Sequence, residues 1–467
     1  MKKKIKFKNN KKKIGIIIDN PSRDLIGALF ISNHLKEKNC DVFLINIYRQ
    51  AFDIFFNKLD VCVFTYCRNN NSIWFLLCKF LSIKTVVLES EGNADSTLIS
   101  NILNNSNAAK LIDKFLFWGE EQMQIISKKS NLDISKCKVT GVPRLYSYLL
   151  EKSVFINNSI LFCSNFSFIN PRFNSYEREK KSYQSISNAS DDMISNKKKD
   201  TFNAFNDFLL TLKFASRNFK NFKIILRIHP FEDDKKYIDF IKNNNLHNIK
   251  ISDNSSLFDD IYSCNFLIHN YCNSAIEGRL AGMKVINIKY REYKEKILKS
   301  SEICSLNAHS VDQLEELILN YDKFANRLNK EDISRLLERR FCLQPGQSNN
   351  WPLNVSNEIY SLLYDDLYLS NIFFNLDNLK IISKNFKNLF LQILRFIFGY
   401  SKFMFFSNLF LGKRKKIKEK KYNTHDILKN SINYIKKYNL NIRLEINNKP
   451  HNRFKSNSLI EVKYLNE

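Results

Sequence analysis

From Ile14 to about Leu150, short apolar runs alternate with longer segments of helical spacing, and this alternation constrains the chain more than any other feature. Ile14–Asp19, Val42–Ile47, Val61–Cys67, Thr85–Ser90, Lys114–Trp118 and Lys138–Thr140 read as strands, while Leu25–Lys38 and Ser72–Leu81 read as helices. Strands that alternate with helices pair in parallel through right-handed crossovers. The pattern resumes with strands at Ser159–Cys163, Phe222–Ile228, Ile249–Ser252, Phe266–His269 and Lys284–Ile288. Helices are expected between them at Phe202–Asn218, Tyr237–Asn243, Ser256–Ser263 and Ser274–Leu280. The chain is therefore expected to be α/β, with two doubly wound Rossmann-like domains over 14–150 and 157–345.

Two stretches depart from the pattern. Residues 170–199 are polar, charged and rich in Ser and Asn, and read as a mobile surface insertion in the second domain. Beyond Trp351 helical spacing takes over, so 351–467 reads as a helical extension, with Val355–Leu367 as a helix packed back on the domains. Inside it, 386–410 is unusually aromatic and is followed by the basic block Lys413-Arg414-Lys415-Lys416 with Lys418, Lys420 and Lys421. Lys387, Arg395 and Lys402 interrupt the aromatic run and disfavour a membrane span. The run reads either as an interfacial helix held to an anionic membrane surface by the basic block, or as a core helix of the extension.

The net charge of +26 narrows the partners through its placement, because much of it sits in this block and in a basic arm over 1–13. With no recognised nucleic-acid motif between the tails, no nucleic-acid partner is expected. The ten cysteines lack paired metal spacing, and the apolar run Ile14–Ile18 is too short for a secretory h-region. Reduced thiols in a cytoplasmic protein, peripheral on the inner face of the membrane, are the expectation. There is no Gly-x-Gly-x-x-Gly at the first strand exit, no phosphate-binding P-loop and no His-Glu-x-x-His, and neither a metal site nor a cofactor is assigned. The acidic pairs Asp233-Asp234 and Asp259-Asp260 read as surface.

Ligands of open parallel sheets bind beyond the carboxyl ends of the strands, so polar residues at strand exits are the candidates for chemistry. Arg227 and His229 flank the end of one strand, and Pro230 fixes the chain as it leaves. A histidine there can donate to a phosphate oxygen, although a structural His-Pro turn is an equal reading. Asn270, Asn273 and Ser274 lead from another strand into a helix whose amino end suits an anion, and Glu277 lies one turn in, within reach of a ribose hydroxyl. A capped helix closely packed through Gly278 is the plain alternative. In the first domain, Glu89 and Glu91 share one strand face beside Gly92, and either carboxylate can take a proton from an acceptor hydroxyl, or simply be solvated. Arg144 leaves another strand as a phosphate ligand or a salt-bridge partner, and Asp19 and Arg23 mark the first strand exit.

These segments, together with Phe117-Trp118-Gly119 and Val139-Thr140-Gly141-Val142-Pro143-Arg144, resemble the surface carbohydrate (surface polysaccharide) biosynthesis protein family over about residues 14–290. That resemblance implies a GT-B-like glycosyltransferase of polysaccharide, lipopolysaccharide or capsule assembly. Its nucleotide-sugar donor would be a substrate, and its acceptor a glycan or a lipid-linked glycan. A looser similarity reaches bacterial transferases of CMP-activated acidic sugars of the sialic acid and Kdo type. It implies Glu91 as general base, His229 as the residue that binds the donor phosphate and assists its departure, and Ser274 as a phosphate ligand. The acidic-acidic-Gly motif of those enzymes reads Ser90-Glu91-Gly92 here, with serine in the first acidic position, and Glu89 stands as the second candidate base. A nucleotide-sugar epimerase of the same fold, a CDP-glycerol-type glycerophosphotransferase and a non-catalytic basic scaffold or nucleic-acid-binding protein remain alternatives.

Overall fold

The computed structural model describes residues 11–47, 49–90, 99–101, 103–104, 107–151, 156–187, 189–254, 256–295, 297–344, 349–365, 378–383, 424–446 and 459–465. Most of the basic arm, Glu91, Gly92 and the aromatic and polybasic stretch over 386–421 lie outside them. The chain divides into two units, one holding residues up to Tyr146 together with most of the chain from Arg340 onward, the other holding Ser147–Arg339.

In the first unit, β1 (Lys13–Ile18), β2 (Asp41–Asn46), β3 (Val61–Phe64), β4 (Lys84–Leu88), β5 (Lys114–Phe117) and β6 (Cys137–Val139) form a parallel sheet in the order β2-β1-β3-β4-β5-β6. The strands are continuously apolar because both faces are covered. Ile14, Ile16, Val42, Leu44, Val61 and Val63 join one buried cluster, while Ile17, Phe43, Ile45, Cys62 and Phe64 join another. Helix Pro21–Glu37 packs on the first face and helix Ser72–Phe80 belongs to the second cluster. Asn20 starts the longer helix by accepting from Ser22 N at 3.2 Å, with Pro21 preset for its first turn.

Helix Trp351–Leu362 belongs to this unit, where Lys114 Nζ reaches Glu358 Oε2 at 2.8 Å and Ser356 Oγ donates to Ile31 O at 3.2 Å. The extension also carries helix Thr424–Lys437, but the expectation of helices alone is corrected by two strands. These are β13 (Ile442–Ile446) and β14 (Ile460–Tyr464), and β14 runs antiparallel to β2 with Glu461 opposite Phe43. They enlarge the sheet to eight strands.

The second unit builds a six-stranded sheet from β7 (Ser159–Cys163), β8 (Lys223–Arg227), β9 (Ile249–Ile251), β10 (Phe266–His269), β11 (Lys284–Ile288) and β12 (Leu306–Ala308). The order is β12-β11-β10-β7-β8-β9, with every pair parallel. Both units are therefore doubly wound Rossmann-like sheets, the expected class. The insertion expected at 170–199 is corrected to helix Tyr176–Ser187 and the start of helix Asp191–Asn218. Ser190 caps the second by accepting from Met193 N at 3.2 Å, and its far half buries Phe205, Phe208 and Leu212. The polar first half still buries Ile194, Asp200, Thr201 and Ala204.

One buried charge in the first unit sets a pH dependence. Asp53, on helix Gln50–Phe56, is 0% exposed, and its Oδ2 has no hydrogen-bond partner. Burial raises its pKa from 3.8 to about 6, against the opposing Arg49 guanidinium at 3.4 Å. The folded chain then binds more protons than the unfolded chain between those two values, so stability falls as pH rises through that window and the loss is complete above about 6. We predict that Asp53→Asn stabilises the unit by about 2–3 kcal/mol at pH 8 and by little at pH 4. Denaturant unfolding at the two pH values checks this, and an equal effect at both would contradict it.

Candidate functional site

In each sheet there is one place where the strand order reverses, and the crevice outside it is where α/β sheets take ligands. In the second unit that place lies between β7 and β10. Ser164 and Asn165, leaving β7, tie together the two turns on either side. His229 N donates to Ser164 Oγ at 2.9 Å, and Asn165 Nδ2 donates to Tyr271 O at 3.1 Å. The His-Pro turn after β8 and the Asn270–Ser274 turn after β10 are thus held by one strand exit.

A buried carboxylate fixes this frame from beneath. Glu232 is 0% exposed, and its Oε1 accepts from Ser164 Oγ at 2.9 Å and from Phe166 N at 2.8 Å. Tyr237 OH donates to its Oε2. Burial and this neighbouring charge push the Tyr237 phenol well above its ordinary pKa, so it stays a donor.

The His229 ring has a defined polarity. Phe231 N donates to its Nδ1 at 3.3 Å, so the neutral imidazole carries its proton on Nε2. The ring is partly exposed and offers an N–H donor at the strand exit. Across the switch point, Tyr271 holds φ at 46°, an uncommon conformation for a residue with a side chain, and its N–H donates to Asn287 Oδ1 at 2.9 Å. Asn270 is buried, and its Nδ2 donates to Ile288 O at 2.8 Å, which binds the turn to the end of β11. Asn273 is exposed at the head of helix Ser274–Leu280. Ser274 is 4% exposed at the same place, and its buried Oγ has no hydrogen-bond partner.

Two residues read as ligands from the sequence have partners within this unit. Glu277 Oε2 accepts from Tyr148 OH at 2.8 Å. Arg227 forms an ion pair with Asp260 and donates to Ser256 O at 3.1 Å and Asn254 O at 3.3 Å. Asp260, read as a surface acid, is corrected to a fully buried one that also accepts from Ser252 Oγ at 2.7 Å and Asn254 Nδ2 at 2.6 Å. An arginine so engaged neutralises a buried charge, and its removal would strand that charge.

In the first unit the order reverses between β1 and β3, and a narrow pocket of about 50 Å³ opens there, lined by Asp24, Glu89, Ser90, Trp118, Pro143 and Arg144 among others. That is room for one or two waters. Trp118 Nε1 donates to Glu89 O at 2.5 Å, and the Arg144 guanidinium lies 5.2 Å from the Trp118 ring centre. Glu89 is 5% exposed, and the buried Ser90 Oγ has no hydrogen-bond partner. Arg23 bridges Asp19 Oδ2 at 3.2 Å and Asp24 Oδ1 at 2.6 Å, while Asp24 Oδ2 accepts from Asn20 N at 2.9 Å. Gly27 lets helix Pro21–Glu37 approach the Arg144 turn, since a Cβ there would stand 2.9 Å from Arg144 N.

The structure thus brings Glu89, Ser90 and Arg144 to one pocket, and His229 and the turn leading into Ser274 to one switch point. Ser164, Asn165 and Glu232 were missing from the sequence reading. Applying the strand-exit rule to β7 as well as to its neighbours would have found the first two. Among the described residues, no three His, Cys, Asp or Glu side chains gather as a metal site, and no helix is long and apolar enough to cross a membrane.

No protein-family model and no curated protein matches this chain. Similar solved structures include S. aureus MnaA with UDP, at 11% identity over 75% of this chain and 97% of that one, with a TM-score of 0.44. The UDP-GlcNAc 2-epimerase of Neisseria meningitidis bound to UDP-GlcNAc is 9% identical over 75% of this chain and 99% of that one, with a TM-score of 0.45. The wall teichoic acid polymerase TagF is 10% identical over 76% of this chain and 89% of that one, with a TM-score of 0.47.

Proposed function

We propose that the chain is a glycosyltransferase that moves a sugar from a nucleotide donor to a hydroxyl of a glycan or lipid-linked acceptor. The observation that carries this reading is the His229 imidazole, presented with its proton on Nε2 at the switch point of a Rossmann-like sheet. An N–H donor there suits a phosphate. In the ground state the Nε2–H donates to a phosphate oxygen of the donor. As the glycosidic bond to phosphate breaks, that hydrogen bond strengthens with the growing charge on the leaving oxygen. The acceptor hydroxyl loses its proton to a carboxylate, a role that Glu91 fills by resemblance, with Glu89 as the second candidate.

The donor's identity is the finer proposal, and a CMP-linked acidic sugar follows from resemblance alone. A thermal-shift panel of CMP-, UDP-, GDP- and CDP-linked donors tests the reading, with stabilisation by one nucleotide class expected. No shift with any of them contradicts it. Incubating the responding donor with and without glycan acceptors then separates transfer from epimerisation, because an epimerase alters the donor alone.

A further inference from the structure

We infer that the outer edge of β13 is a docking surface for a second copy of this chain, whose own β13 pairs with it antiparallel about a two-fold axis beside Leu444. The eight-stranded sheet of the first unit ends on β13, and among the described residues no strand lies beyond it. Hydrogen bonding inside the sheet fixes which backbone groups that edge presents. Leu465 N donates to Asn441 O at 3.0 Å, and β13 continues from there in the same antiparallel register, with Arg443 opposite Lys463 and Glu445 opposite Glu461. Hydrogen-bonded pairs alternate with open ones along such a ladder, so Arg443 and Glu445 turn their N–H and C=O groups toward β14. Ile442, Leu444 and Ile446 turn theirs outward. An open row of this kind, with no proline or bulge within β13 to blunt it, is a template for another strand.

The order of side chains selects the second copy as the occupant. The strand reads Ile442-Arg443-Leu444-Glu445-Ile446, a palindrome in its apolar residues whose two charges are opposite in sign. Under the two-fold, Leu444 meets Leu444, Ile442 meets Ile446, and each Arg443 meets a Glu445. The outward groups of Ile442, Leu444 and Ile446 then fall into the hydrogen-bonded pairs. The Arg443 and Glu445 pairs fall into the other set, where facing side chains stand closest. Like charges at these two positions would have kept two such edges apart. Within one chain Arg443 Nε lies 3.0 Å from Glu445 Oε1, so the two share a face, and both are exposed. On the other face, Ile442 and Leu444 line a groove of about 580 Å³ with Ile432, Ile435 and Leu440. Ile446 and Ile432 are left 39% and 51% exposed at this edge. The seam sets Ile446 of one copy opposite the second copy's Ile442, so apolar burial adds to the backbone ladder.

The test is sedimentation of the full chain, of Arg443→Glu, of Glu445→Arg and of an equimolar mixture of the two variants. Physiological salt is used, because it screens the net charge of +26 beyond about 8 Å. The wild-type chain is expected to associate with concentration and to stop at the dimer, since a two-fold contact closes on itself. Arg443→Glu sets acid against acid across the seam, and Glu445→Arg sets base against base. Each variant alone is therefore expected to dimerise about tenfold or more weakly. In the mixture one chain brings only acids and the other only bases, so both cross-strand pairs are again opposite in charge and a heterodimer is expected. Both variants lose the same contact within the chain, so recovery on mixing reports the seam and not the fold. A wild-type chain that stays monomeric at every concentration overturns the proposal, as it would if a segment of the same chain closed the edge. Dimers of unchanged strength in both variants place the interface elsewhere, and two weakened variants that do not recover together reduce the loss to a structural one; either result overturns the seam.

Discussion

Replacing His229 with alanine is expected to lower sugar transfer at least about a hundredfold while the second unit stays folded. The imidazole is partly exposed, so its loss opens no core cavity, and it forfeits the hydrogen bond from Phe231 N. On the proposed reading, what disappears is the Nε2–H that donates to the leaving phosphate. His229→Asn sharpens the test, because an amide oxygen can still accept from the Phe231 N–H while the ring N–H is gone. It should be as slow as the alanine variant. Turnover near wild type in both variants would remove His229 from the chemistry and reduce the turn to a structural one.

The second large effect concerns stability. Gly141 holds φ at +81°, and a Cβ built on it would lie 2.0 Å from Trp351 Cδ1. Trp351 is 1% exposed, donates from Nε1 to Cys342 O at 3.0 Å and opens the helix that returns to the first unit. Gly141→Ala therefore combines an unfavourable backbone with a clash against a ring that cannot retreat. We expect a loss of about 2–4 kcal/mol in denaturant unfolding of the first unit. Gly141→Val should be worse. A change below about 0.5 kcal/mol, the level of an ordinary surface substitution, would show that the Trp351 contact does not exist in solution.

The consequence of Gly141 reaches the pocket. Val142, Pro143 and Arg144 follow it directly and line the same cavity as Glu89 and Trp118. A shift of this turn displaces Arg144 from the Trp118 ring and changes the room available beside Glu89. The resemblance had marked this segment as a unit, and the structure supplies a physical reason: its glycine seats a tryptophan contributed from far along the chain.

The strands that carry the sites were legible because they are buried on both faces and so read as unbroken apolar runs. Ser159–Cys163, Phe266–His269 and Lys284–Ile288 coincide with β7, β10 and β11. β13 and β14 were missed although Ile442-Arg443-Leu444-Glu445-Ile446 and Ile460-Glu461-Val462-Lys463-Tyr464 alternate apolar and charged residues, the pattern of a strand with one exposed face. What no local pattern encodes is the place of β14 beside β2, some four hundred residues earlier.

The site was legible in part for the same reason. Position at a strand exit identified His229, Ser274, Glu89 and Arg144, but partners across the sheet did not show. Arg227 stands at a strand exit, yet its ion-pair partner Asp260 lies thirty-three residues later, buried against it. Glu232, which the sequence did not single out, joins β7, the His-Pro turn and Tyr237. In both cases the deciding fact is a long-range pairing of buried polar groups, which must be satisfied somewhere but leaves no trace in spacing.

The central claim is that the His229 imidazole carries its proton on Nε2 and donates a hydrogen bond from it to a phosphate of the donor. Nitrogen-15 spectra of the histidine rings, assigned to His229 by comparison with His229→Asn, measure this directly while nucleotide is added. The account predicts a neutral ring protonated at Nε2 near pH 8, with that nitrogen and its proton shifting as the preferred nucleotide saturates the protein. A ring protonated at Nδ1, or a signal that stays unmoved at saturation, would contradict it.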